Sequence, residues 1–216
     1  PSVLVGDFLY SRSFEMMVEL ASMPVMQILS KATRIIAEGE VLQLSKVRDA
    51  STSEETYMDV IRGKTAMLFE ASSHSAAVLA GADAEQAEAL RVFGDHLGVA
   101  FQLMDDLLDY RGDAQAMGKN VGDDLAEGKP TLPLIHAMRE GTPAQAELVR
   151  KAIQQGGSQD LESIRAAVEA AGSLDYTAQL ARHYAEKAIQ CLSTLPASTY
   201  RDALTELTRF AVARSI

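Results

Sequence analysis

Apolar residues recur at spacings of three and four along nearly all of this 216-residue sequence, and no other feature restricts its fold as strongly. Such spacing gives each successive α-helix one apolar stripe, and every stripe needs a neighbour to cover it. Strands would need alternation at every second residue, and the sequence offers little of it. Composition agrees, because Ala, Leu, Glu and Met are plentiful, aromatic residues make up 6%, and fourteen Gly and six Pro are few for this length. An all-α protein is expected, with residues 1–216 forming a single domain free of linkers, repeats and low-complexity tracts.

Helices are expected at about 7–22 and 24–47, divided at Ser22-Met23-Pro24 because proline is tolerated in a first turn but breaks a helix interior. Thr52 with Glu55 three residues on fits a capping box for a helix running from about 54 to 80, which Gly81 ends. A further helix spans about 84–111. Residues 112–130 hold four glycines and Pro130 with little apolar periodicity, so most of this stretch reads as loop. Helices resume at about 131–140, 143–155, 158–171, 174–194 and 197–214, joined by short turns.

The segment 101–110, FQLMDDLLDY, sets three carboxylates into an otherwise apolar run. At about 100° per residue, Gln102, Asp105 and Asp109 share one helix face, with Asp106 at its edge. Phe101, Met104, Leu107 and Leu108 cover the remaining circumference, so the acidic face is expected to line an interior cleft. Three like charges this close oppose folding unless cations compensate. Carboxylate oxygens without neighbouring His or Cys suit Mg²⁺, which is held by one or two carboxylates plus phosphate oxygens. Lys119, Asp123, Asp124 and Lys129 add ligands and fixed positive charge in the glycine-rich loop, and the combination points to a bound diphosphate. Read alone, DDLLD fits a solvated acidic helix face better than a ligand site, and Lys129 fits a solvated loop residue equally well.

Other classes are disfavoured. Thirty acidic against twenty basic residues give a formal charge of −10, which repels nucleic acid. The one cysteine, Cys191, excludes an internal disulfide framework and a cysteine-based zinc site, and fits a reducing, cytoplasmic setting. No apolar stretch is long enough to span a membrane, and PSVLVGDFLYSR lacks the order of a secretion signal. His74, His96, His136 and His183 are scattered without metal-ligand spacing. Met16, Met17, Met23 and Met26 sit among other apolar residues, and core or dimer packing is the default reading for them.

With its neighbours, the acidic segment reads GVAFQLMDDLLDY and then GKNVGDDLAEGKPTLP, which resembles the second aspartate-rich region of the trans-type polyprenyl diphosphate synthases. GDFLYSR at 6–12, EGEVLQL at 38–44 and IRGKTAMLF at 61–69 follow the order of that family, so the resemblance runs with specific motifs from Pro1 to about Met138. It is strongest to bacterial members that build octaprenyl chains for quinones. The resemblance implies a dimeric helical bundle around a deep cavity, in which Mg²⁺ ions bridge an allylic diphosphate to aspartate-rich helices. Isopentenyl diphosphate then adds five carbons to an allylic primer such as farnesyl diphosphate, and the lipid product brings the enzyme near the membrane.

The family's metal-binding positions fall on Asp105, Asp106 and Asp109, its diphosphate-holding pair on Lys64 and Thr65, its preceding glutamine on Gln102, and two loop lysines on Lys119 and Lys129. Lys64, Asp105 and Lys119 are the expected catalytic residues. The family's first aspartate-rich motif, with its paired arginines, does not occur in these 216 residues. The resemblance therefore implies the C-terminal two thirds of a longer synthase, with the isopentenyl diphosphate site and chain-length residues elsewhere and these residues inactive alone. A non-catalytic subunit or remnant stabilising a synthase partner is the competing class. Retention of all three aspartates with Lys64, Lys119 and Lys129 favours chemistry.

Overall fold

The computed structural model describes residues 2–111, 122–156 and 161–213, and among these it contains helices and turns but no strand. The helices are α1 (Ser2–Glu19), α2 (Met23–Lys46), α3 (Glu54–Ile61), α4 (Met67–Leu79), α5 (Ala84–Arg111), α6 (Asp123–Ala126), α7 (Leu132–Glu140), α8 (Pro143–Gln155), α9 (Leu161–Ala170), α10 (Ser173–Cys191) and α11 (Thr199–Ala213). The expected all-α class is met.

Local chemistry sets most boundaries. Pro24 stands in the first turn of α2, where its missing N–H costs nothing. Thr142, Pro143 and Gln145 build a reciprocal capping box at the start of α8. At α3 the cap lies one residue beyond the expected position: Ser53 accepts a hydrogen bond from the Thr56 backbone N–H at 3.1 Å. Thr52 instead donates to the Asp49 carbonyl at 2.8 Å and is buried in the preceding turn. The expected helix at 54–80 is also divided, because Arg62–Ala66 form a π-helical turn between α3 and α4. Buried positions Tyr57, Ile61 and Ala66 are four and then five residues apart, and the step of five is the residue that the wider turn absorbs.

This turn is gripped from both sides. A Cβ on Gly39 of α2 would lie 2.5 Å from the Lys64 nitrogen, and one on Gly98 of α5 would lie 2.5 Å from Ala66 Cα. Two helices thus bring bare backbone against the turn that carries Lys64 and Thr65. α5 runs through the centre, with α4 and α10 packed along it and α11 against its N-terminal half. Its buried Val99, Leu103, Met104 and Leu107 join Leu132, Leu134 and Ile135 of α7 in the main core. Phe93 and Leu97 meet Ala188, Leu192 and Ala211 in a second cluster.

α1 stands apart. Only Met17 of its residues is buried, and Val3, Leu4, Phe8, Leu9 and Met16 are exposed. No helix among the described residues is long and apolar enough to cross a membrane.

Gly98→Ala should therefore destabilise the protein by about 1–3 kcal/mol, because overpacking against Ala66 backbone outweighs the helix-propensity gain. Gly6→Ala, which meets nothing within 4 Å, should leave the melting temperature unchanged or raise it. Thermal denaturation followed by circular dichroism compares the two, and equal effects would remove the special status of the α5 contact.

Candidate active site

A cavity of about 840 Å³ opens between the C-terminal half of α5, the π turn, the end of α2 and the segment 123–131. Asp105, Asp106, Asp109, Asp123, Asp124 and Glu127 line it, against the ammonium groups of Lys46, Lys64 and Lys129. Among the described lining residues carboxylates outnumber ammonium groups twofold, so an anionic ligand enters favourably only with added cations.

The three aspartates of DDLLD have different surroundings. Asp105 lines the cavity, and its carboxylate forms no hydrogen bond or ion pair with another described residue. Asp106 is only 3% exposed and accepts hydrogen bonds from the Tyr57 hydroxyl at 2.5 Å and the Gln102 amide at 2.7 Å. Asp109 is half-buried and accepts from the backbone N–H groups of Gly122 and Asp124, at 3.2 and 3.3 Å. It thereby ties the start of α6 to the end of α5.

Burial pushes the Asp106 carboxyl up from an ordinary 3.8 to about 7, and the Asp124 charge adds to this, while Tyr57 and Gln102 act against it. Burial and Asp124 likewise push Asp109 up to about 6, partly offset by its backbone donors.

The cations are held within the protein. Lys64 Nζ donates to Gln43 Oε1 at 2.5 Å and pairs with Glu40 at 2.9 Å, so α2 holds the lysine that the π turn presents. Lys129 Nζ lies 3.0 Å from Asp124 and 2.7 Å from Glu127. Burial alone would lower its pKa, but these two carboxylates hold it above its usual range. The strap bearing Lys129 is fixed where the Arg48 N–H donates to the Gly128 carbonyl at 2.8 Å.

Lys64, Thr65, Gln102, Asp105, Asp106, Asp109 and Lys129 thus line one cavity, as do Asp123 and Asp124. Lys119 lies outside the described residues. Reading the sequence missed Tyr57, Gln43, Glu40 and Lys46. Tyr57 falls at a helical spacing that reads as ordinary core, and nothing in the sequence marks its hydroxyl as a partner of Asp106. Among the described residues, no three side chains of His, Cys, Asp or Glu converge as a ready-made cage. The open donor set, with Asp105 unengaged, fits a hard divalent ion whose coordination the ligand's own oxygens complete.

This is the architecture of an isoprenoid-synthase bundle, and the chain belongs to the polyprenyl synthetase family, whose model matches residues 1–171. It is 53% identical to octaprenyl diphosphate synthase of Escherichia coli K12 over 214 residues, and 50% identical to that of Haemophilus influenzae. These matches cover 99% of the chain and 66% and 65% of the relatives, so the chain spans just under two thirds of their length. A polyprenyl synthase from Caulobacter crescentus, crystallised with calcium and isoprenyl diphosphate, superposes with a TM-score of 0.94 at 48% identity. That match covers all of this chain and 66% of the other.

A carboxyl group that keeps its proton to higher pH when folded stabilises the fold while protonated. The contribution of Asp106 and Asp109 is therefore full below about pH 4 and is lost as pH rises through about 6 to 7. Between pH 5 and 8, metal-free Asp106→Asn should gain stability relative to the native chain as pH increases. Melting curves at intervals across that range measure the difference, and a constant gap would contradict the raised pKa.

Proposed function

We propose that this chain carries the allylic diphosphate site of a Mg²⁺-dependent prenyltransferase, acting as one unit over residues 1–216. The reaction adds isopentenyl diphosphate to an allylic diphosphate such as farnesyl diphosphate and yields a long all-trans polyprenyl diphosphate. Octaprenyl is the product that the named relatives favour, with a quinone side chain as its use. The observation that supports the reading most is the cavity's charge, with carboxylates in twofold excess over the lysines that face them.

Asp105 is the proposed direct metal ligand, and Asp109 and Asp106 stand beside it on the same helix. Magnesium, when bound, neutralises the diphosphate and stabilises it as a leaving group. Lys64 and Lys129 supply fixed positive charge to the same oxygens, with Lys119 proposed from the family pattern as a third lysine, while Thr65 and Gln102 shape the wall beside them. The allylic C–O bond breaks with its electron pair leaving on the diphosphate. The terminal double bond of isopentenyl diphosphate then forms the new C–C bond, and loss of a proton restores an allylic diphosphate. Lysines held in place before the reaction favour the more highly charged departing group over the bound ester, which is the condition for catalysis.

The exposed apolar residues of α1, together with exposed Met23, Val41 and Leu44 of α2, support a homodimer. The lone cysteine supports a cytoplasmic setting.

In the complete protein, Asp105→Ala should lower turnover about a hundredfold to a thousandfold, as loss of one electrostatic stabiliser commonly does. Its melting temperature without metal should stay the same or rise, because the change relieves repulsion. Steady-state assays with farnesyl and isopentenyl diphosphates across a Mg²⁺ titration, with products identified by mass spectrometry, test this. Near-native turnover would overturn the assignment. Leu9→Asp should shift the protein from dimer to monomer in size-exclusion chromatography with light scattering, and an unchanged dimer would place the interface elsewhere.

A further inference from the structure

We infer that Tyr57 is a positioning residue whose hydroxyl, acting through Asp106 and Gln102, sets the direction in which the Thr65 hydroxyl faces. Asp106 is buried with no lysine or arginine partner among the described residues, a costly state for a charge unless hydrogen bonds compensate. Its compensation is one donor on each oxygen: the Tyr57 hydroxyl on Oδ2 at 2.5 Å and Gln102 Nε2 on Oδ1 at 2.7 Å. Tyr57 is itself only 5% exposed and sits in the main core beside Met58 and Ile61.

The direction of each link follows from what each group can offer. A carboxylate only accepts, so Tyr57 donates and Gln102 turns its NH₂ toward Asp106. The amide carbonyl of Gln102 then faces the other way, onto Thr65 Oγ1 at 2.9 Å. A carbonyl also only accepts, so Thr65 donates its single hydrogen inward. Its lone pairs are left facing the cavity that it lines. Thr65 follows Lys64 on the π turn, whose backbone Gly39 and Gly98 hold in place, so the hydroxyl has little freedom to compensate by moving.

The consequence refines the wall of the diphosphate site. A diphosphate is all acceptor and gains no direct hydrogen bond from a hydroxyl whose hydrogen is already committed. Thr65 acts there as an acceptor, toward ordered water or positive charge, while Lys64 beside it donates. Without the Tyr57 hydroxyl, Asp106 loses one of its two donors, and the Gln102 amide is left between a carboxylate held on one side only and the Thr65 hydroxyl.

The consequence for turnover rests on the prenyl-transfer reading, whereas the relay itself does not, and the two are tested apart. Tyr57→Phe keeps the buried ring and removes only the hydroxyl. In ¹⁵N-labelled, metal-free protein at pH 8, the side-chain amide pair of Gln102, identified by its loss in Gln102→Leu, should shift in Tyr57→Phe. Its exchange with water should also speed up severalfold. An unmoved pair would overturn the relay whatever the protein catalyses. In the complete enzyme, Tyr57→Phe should lower kcat about tenfold to a hundredfold, the usual cost of losing a partner that orients a site residue. KM for the allylic diphosphate should change much less. In a Thr65→Val background the same substitution should cost almost nothing further, because the relay then has no end. An equal loss in both backgrounds would show that the Tyr57 hydroxyl affects turnover by a route that does not pass through Thr65, and would overturn its positioning role there. Should the native enzyme form no prenyl product, the prenyl-transfer reading falls and the amide resonances alone decide the relay.

Discussion

Bare backbone pressed against backbone is the contact on which this molecule depends. Gly39 from α2 and Gly98 from α5 meet the turn at Arg62–Ala66 at distances that no side chain permits. Three segments thereby meet where a methyl group on either glycine would collide with the turn's backbone. The gain is positional. Lys64 and Thr65 emerge from a turn that cannot slide, so their side chains meet Gln43, Glu40 and Gln102 at hydrogen-bonding distance. Under the proposed prenyl transfer, such groups must be in place before charge develops on the leaving diphosphate.

The acidic helix face is tolerated because its carboxylates are handled differently. Asp106 is satisfied by neutral donors, Asp109 by backbone N–H groups, and Asp105 is left open to the cavity. Two carboxylates absorb the cost of burial through hydrogen bonding and raised pKa values, leaving one unencumbered oxygen pair for a ligand. Stability is surrendered at this point, since a neutral side chain at 106 would relieve the same burial. Functional sites commonly show this trade.

Much of the architecture was legible because periodicity and caps act locally. The helices at Met23–Lys46, Ala84–Arg111 and Pro143–Gln155 begin and end within a residue of where proline, glycine and loop composition place them. The cavity-facing phase of Gln102, Asp105 and Asp109 also follows from helical geometry alone. The π turn was not legible, because a spacing of five between Ile61 and Ala66 looks like a small lapse in an otherwise continuous pattern. Tyr57 was hidden for another reason: its role depends on Asp106, forty-nine residues away, and its own spacing is that of a core residue. Long-range polar pairing leaves no periodic trace.

The π turn also separates two registers within what would otherwise be one rod. In a continuous α-helix, the face that α3 buries would decide which face α4 buries, since each residue advances the direction by about 100°. One additional residue at Arg62–Ala66 frees the two, so α3 presents Tyr57 inward to α5 while α4 turns Met67 and Ala71 toward Ala32 of α2. Removing one residue of that turn would let it close as an ordinary α-turn and leave the buried faces of α3 and α4 aligned. What would go is the widened backbone that seats Lys64 and Thr65 against Gly39 and Gly98, so that a single-codon deletion here would spare the core and disarm the site.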